Sequence, residues 1–354
     1  LHIARGVALA QVRLAIIDLE TGDQPIHEPG GAALVANAEI YNYRELREDL
    51  PEIKFSSHSD CEPPLHLYRQ LGSSYAEHLR GMYAIAIYDA AKDCLLLSRD
   101  PFGIKPLYYC EADGFFAFSS EPRAFLAADI VSDELDERRR EELLQLQFTC
   151  GRETIFPKIR RVLPGETLVV RGGRIVERRQ IDMLPRDRED EIHDLSHSEA
   201  LDRLDRTLEE SVRLHQRSDV PYGLFLSGGI DSSAILALMT RLNERPVRAF
   251  TVGFSNAAVH DERDHARKVA KRVGAELPRR VGDDKPELVG DASPGAGGAD
   301  ARVLLGSQKG RRGRRRAERA QVGSGHAERP PNAAGRRQEP RIVPRRYGRR
   351  CRRR

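Results

Sequence analysis

The first 120 residues alternate short apolar runs with turn residues, a pattern that predicts β-strands. Because both faces of the run 82–88 are apolar, we expect this strand to lie between two packed layers. The pattern predicts sheets packed together with helices outside. Strands are predicted at 12–17, 33–37, 82–88, 94–98 and 115–119, and helices at 43–50 and 121–127.

Beyond residue 198 the apolar positions first follow a helical period. The resulting stripe, which we interpret as core, consists of Leu201, Leu204, Leu208 and Val212. An apolar strand at 222–226, a helix from Ile230 and a second strand at 249–254 follow. This order predicts a strand–helix–strand unit with parallel strands.

The formal net charge of +4 conceals an uneven distribution. Residues 301–354 contain 19 Lys and Arg against 3 Asp and Glu, a net charge of +16, whereas the rest of the chain carries −12. From residue 278 onward the sequence is rich in arginine, glycine and alanine. We expect 278–354 to be disordered, because such a sequence cannot bury a core.

Three interpretations of this basic tail stay open. It could bind nucleic-acid phosphates, it could be a specific interaction tail, or it could be a GC-rich gene read out of frame. We favour the out-of-frame interpretation and therefore do not expect a nucleic acid as a partner. The polar, charged stretch 185–198 is interpreted as an inter-domain linker.

Length and cysteine content limit the class of protein. The 354 residues can hold two domains, and no apolar run reaches the about 20 residues that a membrane span requires. Five cysteines, odd in number and without a CxxC pair, favour a reduced, cytoplasmic protein. No signal peptide is visible, and because the sequence begins with Leu1 we expect its natural start to be missing.

The sequence SGGIDSS at 227–233 carries the clearest chemistry. Its glycines let a phosphate approach the backbone, and the helix that follows offers unpaired N–H groups with a positive dipole. The serine hydroxyls add donors, and Asp231 is suited to holding Mg²⁺ against a pyrophosphate. Because the turn has no lysine, it is not a Walker loop. The alternative interpretation is an ordinary Gly-Gly turn capped by serine and aspartate.

Six further motifs precede this loop in a fixed order: VRLAIIDLETGDQP, NAEIYNYRELR, SDCE, LRGMYAIAIYD, RDPFGIKPLYY and SSEPRAF. With SGGIDSS, which matches the pyrophosphate loop of ATP pyrophosphatases, they closely resemble glutamine-hydrolysing asparagine synthetases over residues 7–275. The resemblance implies an α+β class II glutamine amidotransferase domain at 1–184, an αββα sandwich of antiparallel sheets. It also implies the start of an α/β synthetase domain with a parallel sheet at 199–277.

The resemblance implies a site for glutamine. Arg13 corresponds to the arginine that holds the α-carboxylate, a task that suits a bidentate guanidinium. Glu39 and Asp60 correspond to the acids around the α-ammonium. The Asn37 amide and the Ala38 N–H correspond to the oxyanion hole. The predicted glutamine-binding residues also include Leu14, Ile16 and Ile17.

The second half of the resemblance implies a site for ATP and Mg²⁺. The predicted ATP-binding residues are Leu226, Ser227, Gly228, Gly229, Asp231, Ser232, Ser233 and Val252, with Asp231 as the metal ligand. Asp261–Glu262 is left out, because such a pair is more often a solvated helix start. The implied reaction transfers ammonia from glutamine to aspartate with consumption of ATP, in a cytoplasmic enzyme. A homodimer is one open expectation for its assembly.

The sequence departs from the family at three places. Ala38 replaces a glycine, which costs free energy if the position needs a positive φ. A nucleophilic cysteine at the mature N-terminus and a second phosphate-site motif have no counterpart, and an internal cysteine lacks the α-amine that serves as base. We therefore expect an inactive fragment. Two alternatives stay open: a non-catalytic module that binds glutamine or nucleotide, and an amide former such as a β-lactam synthetase with another acceptor.

Overall fold

The structure, a computed structural model, describes residues 1–4, 6–112, 114–181, 195–253 and 261–277 and the backbone of 287–288. Most of the predicted linker and almost all of the predicted tail lie outside the described residues. The strands are β1 His2–Ala4, β2 Val7–Leu9, β3 Ile26–His27, β4 Ala32–Ile40, β5 Gly81–Asp89, β6 Cys94–Arg99, β7 Tyr108–Ala112, β8 Phe115–Ser119, β9 Arg160–Arg161, β10 Glu166–Arg171, β11 Arg174–Gln180, β12 Leu224–Phe225, β13 Ala249–Phe250, β14 Val252–Gly253 and β15 Glu287–Leu288. The helices are α1 Tyr43–Glu48, α2 Pro63–Leu71, α3 Pro122–Ala127, α4 Glu137–Leu146, α5 His197–His215, α6 Ile230–Leu242 and α7 Arg263–Val273, with a 3₁₀ helix at Gly72–His78.

A six-stranded antiparallel sheet in the order β11-β10-β6-β5-β4-β3 forms the centre of the first part of the chain. β4 and β5 pair from Ala32 opposite Asp89 to Ile40 opposite Gly81. β5 then turns back into β6, so the predicted hairpin is confirmed. Its apolar residues suit a pleated surface that is buried on both sides.

Alternation along β4 sends its side chains into two cores. Leu34 packs with Leu65 of α2 on one face of the sheet. Val35 packs with Tyr109 of β7 on the other face, where the antiparallel sheet β8-β7-β9 lies. Phe125 of α3 packs on the outer side of this second sheet. The layers are therefore helix, sheet, sheet and helix, the arrangement that the sequence predicts.

The second part of the chain is built around a pair of short parallel strands. Leu224 of β12 lies opposite Ala249 of β13, and α6 connects the two strands. β12 is two residues long, whereas the sequence predicts five. The small core beneath it includes Leu226, Leu236, Met239, Ala266 and Ala270.

Helix α5 begins within the last residues of the predicted linker. Ser196 and Glu199 form a capping box: the Glu199 N–H donates to Ser196 Oγ at 3.4 Å, and the Ser196 N–H donates to Glu199 Oε2 at 2.8 Å. This reciprocal cap satisfies two N–H groups that a helix start leaves unpaired. It fixes His197 as the first helical residue.

The predicted strand at 12–17 is wrong. The segment has no ladder partner within the described residues, although it passes the edge of β4, where Gln11 Nε2 donates to the Ala36 carbonyl at 2.8 Å. The Arg13 guanidinium folds back and donates to the Ile17 carbonyl at 2.5 Å. Side-chain bonds of this kind compete with a strand ladder for the backbone, which an apolar sequence pattern does not reveal.

The interpretation of the α5 stripe as core is wrong at three of its four positions. The exposed members, at 52, 53 and 42 % exposure, are Leu201, Leu204 and Leu208. Val212 alone of the four packs against the core around α6. α5 meets α6 through ion pairs instead, because Arg241 lies 3.1 Å from Asp205 and 2.7 Å from Glu209.

Candidate functional site

The C-terminal end of β4 carries three of the predicted glutamine-site residues. Asn37 and Glu39 are two positions apart and therefore project from the same face of the sheet. This is the face that packs against β7 earlier in the strand, yet Asn37 is exposed and Glu39 is half-buried. The two polar side chains therefore follow directly on the apolar residues that fill the space between the sheets.

The Ala38 N–H belongs to the free edge of β4. Alternate residues of a strand direct their N–H groups to the same side, and on this side the Ala36 N–H donates to Gln24 Oε1 at 2.6 Å and the Ile40 N–H to Asp60 Oδ2 at 2.8 Å. Ala38 lies between these two and is not among the residues with positive φ. Alanine in place of glycine therefore carries no backbone cost here. The assignment of Ala38 to an oxyanion hole stays a prediction.

Asp60 is an almost completely buried acid, 4 % exposed. Burial raises its pKa to about 6; the hydrogen bond from the Ile40 N–H opposes this rise, and the negative charge of Glu39 adds to it. Burial also raises the pKa of Glu39, although the positive charge of Lys105 opposes the rise. Two neighbouring acids that disfavour each other's ionisation are stabilised by an added ammonium group.

Arg13 is held in place over Gly22. A Cβ at position 22 would lie within 2.8 Å of the Arg13 guanidinium atoms, so a side chain there would displace the guanidinium. Burial raises the pKa of the Cys61 thiol and the negative charge of Asp60 adds to it, while the charge of Arg13 opposes the rise. Arg13 is therefore near the segment that carries Asp60. The structure brings the predicted carboxylate partner and one predicted ammonium partner into one region.

The other three predicted glutamine-binding residues have different surroundings. Ile17 is buried in the core beneath the helices, and Ile16 is partly buried against the same core. Leu14 is 57 % exposed, so its side chain mainly faces solvent. A role in binding glutamine stays a prediction for all three.

The motif RDPFGIKP builds a loop that brings a lysine to this site. The buried Arg99 donates to three backbone carbonyls at 2.7 to 2.8 Å, and the fully buried Asp100 accepts from the Lys105 N–H at 2.9 Å. The loop so fixed places the Lys105 charge close enough to Glu39 to oppose the rise in pKa that burial causes. Lys105 is not among the residues predicted from the sequence. The Arg-Asp pair that begins this motif could have indicated such a loop. Buried charges must be hydrogen-bonded, and backbone groups of a loop can supply the partners.

The four described cysteines do not supply a nucleophile. Cys61, Cys94 and Cys110 are buried, and Cys150 is exposed. Burial raises the pKa of Cys61 and Cys110, and a hydrogen bond to Glu142 raises that of Cys150. A thiol with a raised pKa stays protonated at neutral pH and is a poor nucleophile.

The SGGIDSS loop joins β12 to α6 and is held by its own side chains. Ser227 Oγ lies 2.9 Å from Ser232 Oγ and accepts from the Gly229 N–H at 3.2 Å. Ser233 Oγ donates to the Gly229 carbonyl at 2.8 Å. The buried Leu226 anchors the strand end, because its N–H donates to β13 at 2.7 Å. The predicted hydroxyl and amide groups therefore come together at one turn.

Glu262 closes this turn from the start of α7. Its Oε2 accepts from the Gly228 N–H at 2.8 Å, and a Cβ on Gly228 would lie 3.0 Å from Glu262 Cδ. A carboxylate oxygen thus accepts the hydrogen bond of an amide N–H that could otherwise be donated to a phosphate oxygen. Glu262 is not among the predicted site residues, because Asp261–Glu262 is expected to be a solvated helix start. Both residues are exposed at the helix start, as expected, and Asp261 pairs with Arg263 at 2.7 Å.

Asp231 is exposed in the first turn of α6. Among the described residues, no three His, Cys, Asp or Glu side chains form a group that could hold a metal ion. Mg²⁺ typically takes one or two carboxylates and completes its shell with phosphate and water oxygens. Asp231 therefore fits Mg²⁺ that arrives with a phosphate. Val252, 39 % exposed, begins β14 just beyond the parallel pair.

Residues 1–180, just over half of the chain, match the family model described as a glutamine amidotransferase domain. The chain belongs to the glutamine amidotransferase domain family. Residues 203–283 match a second family model, described as asparagine synthase. The two matches follow the order of the motifs, so the resemblance to glutamine-hydrolysing asparagine synthetases is confirmed. In the described part of this amidotransferase-family chain, no helix is long and apolar enough to span a membrane.

Three curated relatives illustrate the similarity. Asparagine synthetase 1 (glutamine-hydrolyzing) of Bacillus subtilis is 36 % identical over 282 residues, which cover 75 % of this chain and 41 % of the relative. Asparagine synthetase 2 of the same organism is 32 % identical, with 76 and 37 % covered. Amidase chyE of Penicillium rubens is 32 % identical over 293 residues, with 77 and 42 % covered. The amidotransferase-family chain spans less than half the length of these relatives.

Proposed function

We propose that this chain is the glutamine-binding and ATP-binding part of a glutamine-hydrolysing asparagine synthase. The proposed reaction amidates aspartate with ammonia from glutamine and gives asparagine, glutamate, AMP and pyrophosphate. The observation that carries the proposal is the pair of buried and half-buried acids, Asp60 and Glu39, near the Arg13 guanidinium. One cation and two anions complement the carboxylate and ammonium groups of a free amino acid.

The first part of the chain binds glutamine in this proposal. Arg13 pairs with the α-carboxylate, while Glu39 and Asp60 accept hydrogen bonds from the α-ammonium. The side-chain amide of glutamine then lies toward Asn37 and the Ala38 N–H. These two donors stabilise the oxygen on which negative charge develops during hydrolysis.

The second part binds Mg-ATP as an α/β pyrophosphate-loop domain with a parallel sheet. The N–H groups of Gly228 and Gly229 and the hydroxyls of the loop serines donate hydrogen bonds to the phosphate oxygens. Bound Mg²⁺ neutralises phosphate charge, and Asp231 holds it. Because the Glu262 carboxylate accepts from the Gly228 N–H, it must move away when a phosphate takes that donor.

Calorimetric titration of the full chain with L-glutamine and with Mg-ATP tests the proposal. Arg13→Ala should weaken glutamine binding by about 30-fold or more, the loss of a charge-assisted hydrogen-bonded pair, and leave Mg-ATP binding unchanged. Asp231→Asn should weaken Mg-ATP binding and leave glutamine binding unchanged. The exposed Arg203→Ala on α5 is the matched control. A chain that binds neither ligand contradicts the proposal.

An amide former with another acceptor is the second candidate. The relative named as an amidase is as similar to this chain as asparagine synthetase 2 is, at 32 % identity each. ATP–pyrophosphate exchange distinguishes the candidates, because adenylation of a carboxylate is reversible. Exchange that requires aspartate supports an asparagine synthase, and exchange with other carboxylates alone supports the second candidate. Binding of both ligands without exchange supports a non-catalytic binding module.

The organisation of the whole protein is part of the proposal. We place the amidotransferase domain at 1–184, the linker at 185–198 and the beginning of the synthetase domain at 199–277. We propose a cytoplasmic location, which agrees with the free thiols of the four cysteines that the structure describes. We retain the homodimer as a prediction that sedimentation of the purified chain can test.

A further inference from the structure

Asp18 has a left-handed backbone conformation, which few non-glycine residues adopt. Its φ is 56°, in the left-handed region, and it is 6 % exposed. Non-glycine residues in this region are strained and persist where the surrounding structure holds them. Asp129 has a similar φ of 53° but is exposed at the end of α3, so the two aspartates form a natural comparison.

The Asp18 carboxylate ties two loops together. It accepts from the Thr21 N–H at 2.8 Å, from Thr21 Oγ1 at 2.6 Å and from the His58 N–H at 2.9 Å. Although burial opposes ionisation, these hydrogen bonds lower the Asp18 pKa below its ordinary value. His58 is two residues before Asp60, so the carboxylate fixes the loop that carries the buried acid.

The backbone of Asp18 ties this turn to Arg13 and to the second part of the chain. Its carbonyl accepts from Arg13 Nη2 at 2.9 Å. Its N–H donates to Asp219 Oδ2 at 2.7 Å, and the Asp219 N–H donates to the Ile16 carbonyl at 3.0 Å. Asp219 lies eight residues before Ser227, in the segment that leads into β12 and the SGGIDSS loop.

We propose that Asp18 is a positioning residue of the glutamine site and that Asp219 anchors it from the synthase part. This inference rests on the proposed function, which assigns Arg13 and Asp60 to glutamine. Asp18 itself is not assigned a contact with the carboxylate or the ammonium group of glutamine. It holds the Arg13 guanidinium through its carbonyl and the Asp60 loop through its carboxylate, and Asp219 holds its N–H.

The first test is the substitution Asp18→Asn in the full chain. Asparagine tolerates the left-handed conformation, but only one arm of its amide can accept a hydrogen bond. We expect the dissociation constant for L-glutamine to rise by about 10-fold, the effect of one lost bond to a charged group. Asp129→Asn should leave it within twofold. Mg-ATP binding should be unchanged in both variants.

The second test is a series at Asp219, with Asp205→Ala, an exposed aspartate on α5, as control. Asp219→Ala should weaken glutamine binding by about 3- to 10-fold, because Asp219 is exposed and its bond contributes less. Asp219→Asn should restore binding to within twofold of the wild type, since its carbonyl oxygen can accept from the same N–H. Amide exchange at Thr21 and His58 should be faster in Asp219→Ala and unchanged in the control.

Three results contradict the inference. Glutamine binding that stays within twofold of the wild type in Asp18→Asn shows that Asp18 positions nothing in the site. Equal weakening of glutamine and Mg-ATP binding shows general destabilisation. If the wild type binds no glutamine, the proposed function fails, and amide exchange alone then decides: unchanged exchange at His58 in Asp219→Ala overturns the positioning role, and faster exchange supports it.

Discussion

The amidotransferase part, residues 1–181, and the synthase part, residues 195–277, are stabilised in different ways. The first part buries a six-stranded sheet on both faces, and its core includes the fully buried Tyr68, Tyr75, Tyr83 and Tyr109. The second part has one small core around α6 and α7, and α5 buries none of its residues. The same chain therefore contains a deep core and a shallow one.

This difference also separates the two candidate sites. Asp60 is positioned by the N–H of Ile40, 20 residues away, and Asp18 by Asp219, 201 residues away. The serines of the SGGIDSS loop bond mainly to residues at most five positions apart. The proposed glutamine site thus depends on the whole fold, whereas the SGGIDSS loop depends mainly on its own sequence.

The largest expected effect compares one leucine from each part. Leu34→Ala, at 0 % exposure, should lower the free energy of unfolding by about 2–5 kcal/mol. Leu204→Ala, at 53 % exposure, should change it by less than about 0.5 kcal/mol. Urea unfolding followed by far-ultraviolet circular dichroism measures both, because helices of both parts contribute to that signal. Tyrosine fluorescence reports mainly on the first part, since the chain has no tryptophan and 8 of its 10 tyrosines lie before residue 110.

Equal effects of the two substitutions would contradict the difference between the cores. A destabilisation by Leu204→Ala alone would show that the α5 stripe is covered in solution. The same measurement at two protein concentrations shows whether a second copy of the chain covers it, because only association depends on concentration.

The second prediction concerns the buried acid of the first part. The pKa of Asp60 is about 6 in the folded chain and 3.8 in an unperturbed side chain, so its charge destabilises the fold above pH 6. Asp60→Asn should therefore stabilise the chain at pH 8 by up to about 3 kcal/mol. The gain should decrease as the pH falls from 6 to 4, where the wild-type acid is neutral. A gain that does not depend on pH would contradict the assigned cause.

The third prediction concerns the exposed loop of the second part. Removal of the Glu262 charge should raise the affinity for inorganic pyrophosphate, measured without Mg²⁺, by about 3- to 10-fold, because a like charge leaves the phosphate position. Asp261→Asn removes the same charge one residue away and is the matched control for Glu262→Gln. Equal gains in both variants would show that only net charge matters.

The smallest expected effect is at a second contact between the parts, the ion pair of Arg217 with Glu45. Arg217 donates to both Glu45 carboxylate oxygens, at 3.0 and 2.7 Å. Since Glu45 is half-exposed, Arg217→Ala should lower the free energy of unfolding by only about 0.5–1 kcal/mol. The loss should shrink in 1 M salt, which screens exposed charges. A loss that persists unchanged in 1 M salt would show that the contact depends on packing.

The sequence predicts a structural feature well where its residue pattern is compatible with only one structure. The apolar runs of β4 to β6 have two apolar faces, so they must lie between layers, and the hydrogen bonds of the SGGIDSS serines join groups within seven residues. The Glu262 contact could not be predicted, because it joins residues 34 positions apart. The α5 stripe shows that periodicity identifies an apolar face without identifying what covers it. The segment 12–17 is apolar, but the Ile17 carbonyl accepts from Arg13 and the Ile16 carbonyl accepts from the Asp219 N–H, so a ladder cannot use these two groups.

The bond between Glu262 and the Gly228 N–H has a consequence for which ions this loop accepts. Chloride or inorganic phosphate has to displace a carboxylate of the same sign and offers that carboxylate no new partner. A nucleotide with its Mg²⁺ brings a cation that attracts the displaced carboxylate. If the loop binds Mg-ATP as proposed, we therefore expect it to bind chloride or inorganic phosphate more weakly than an anion that arrives together with a metal.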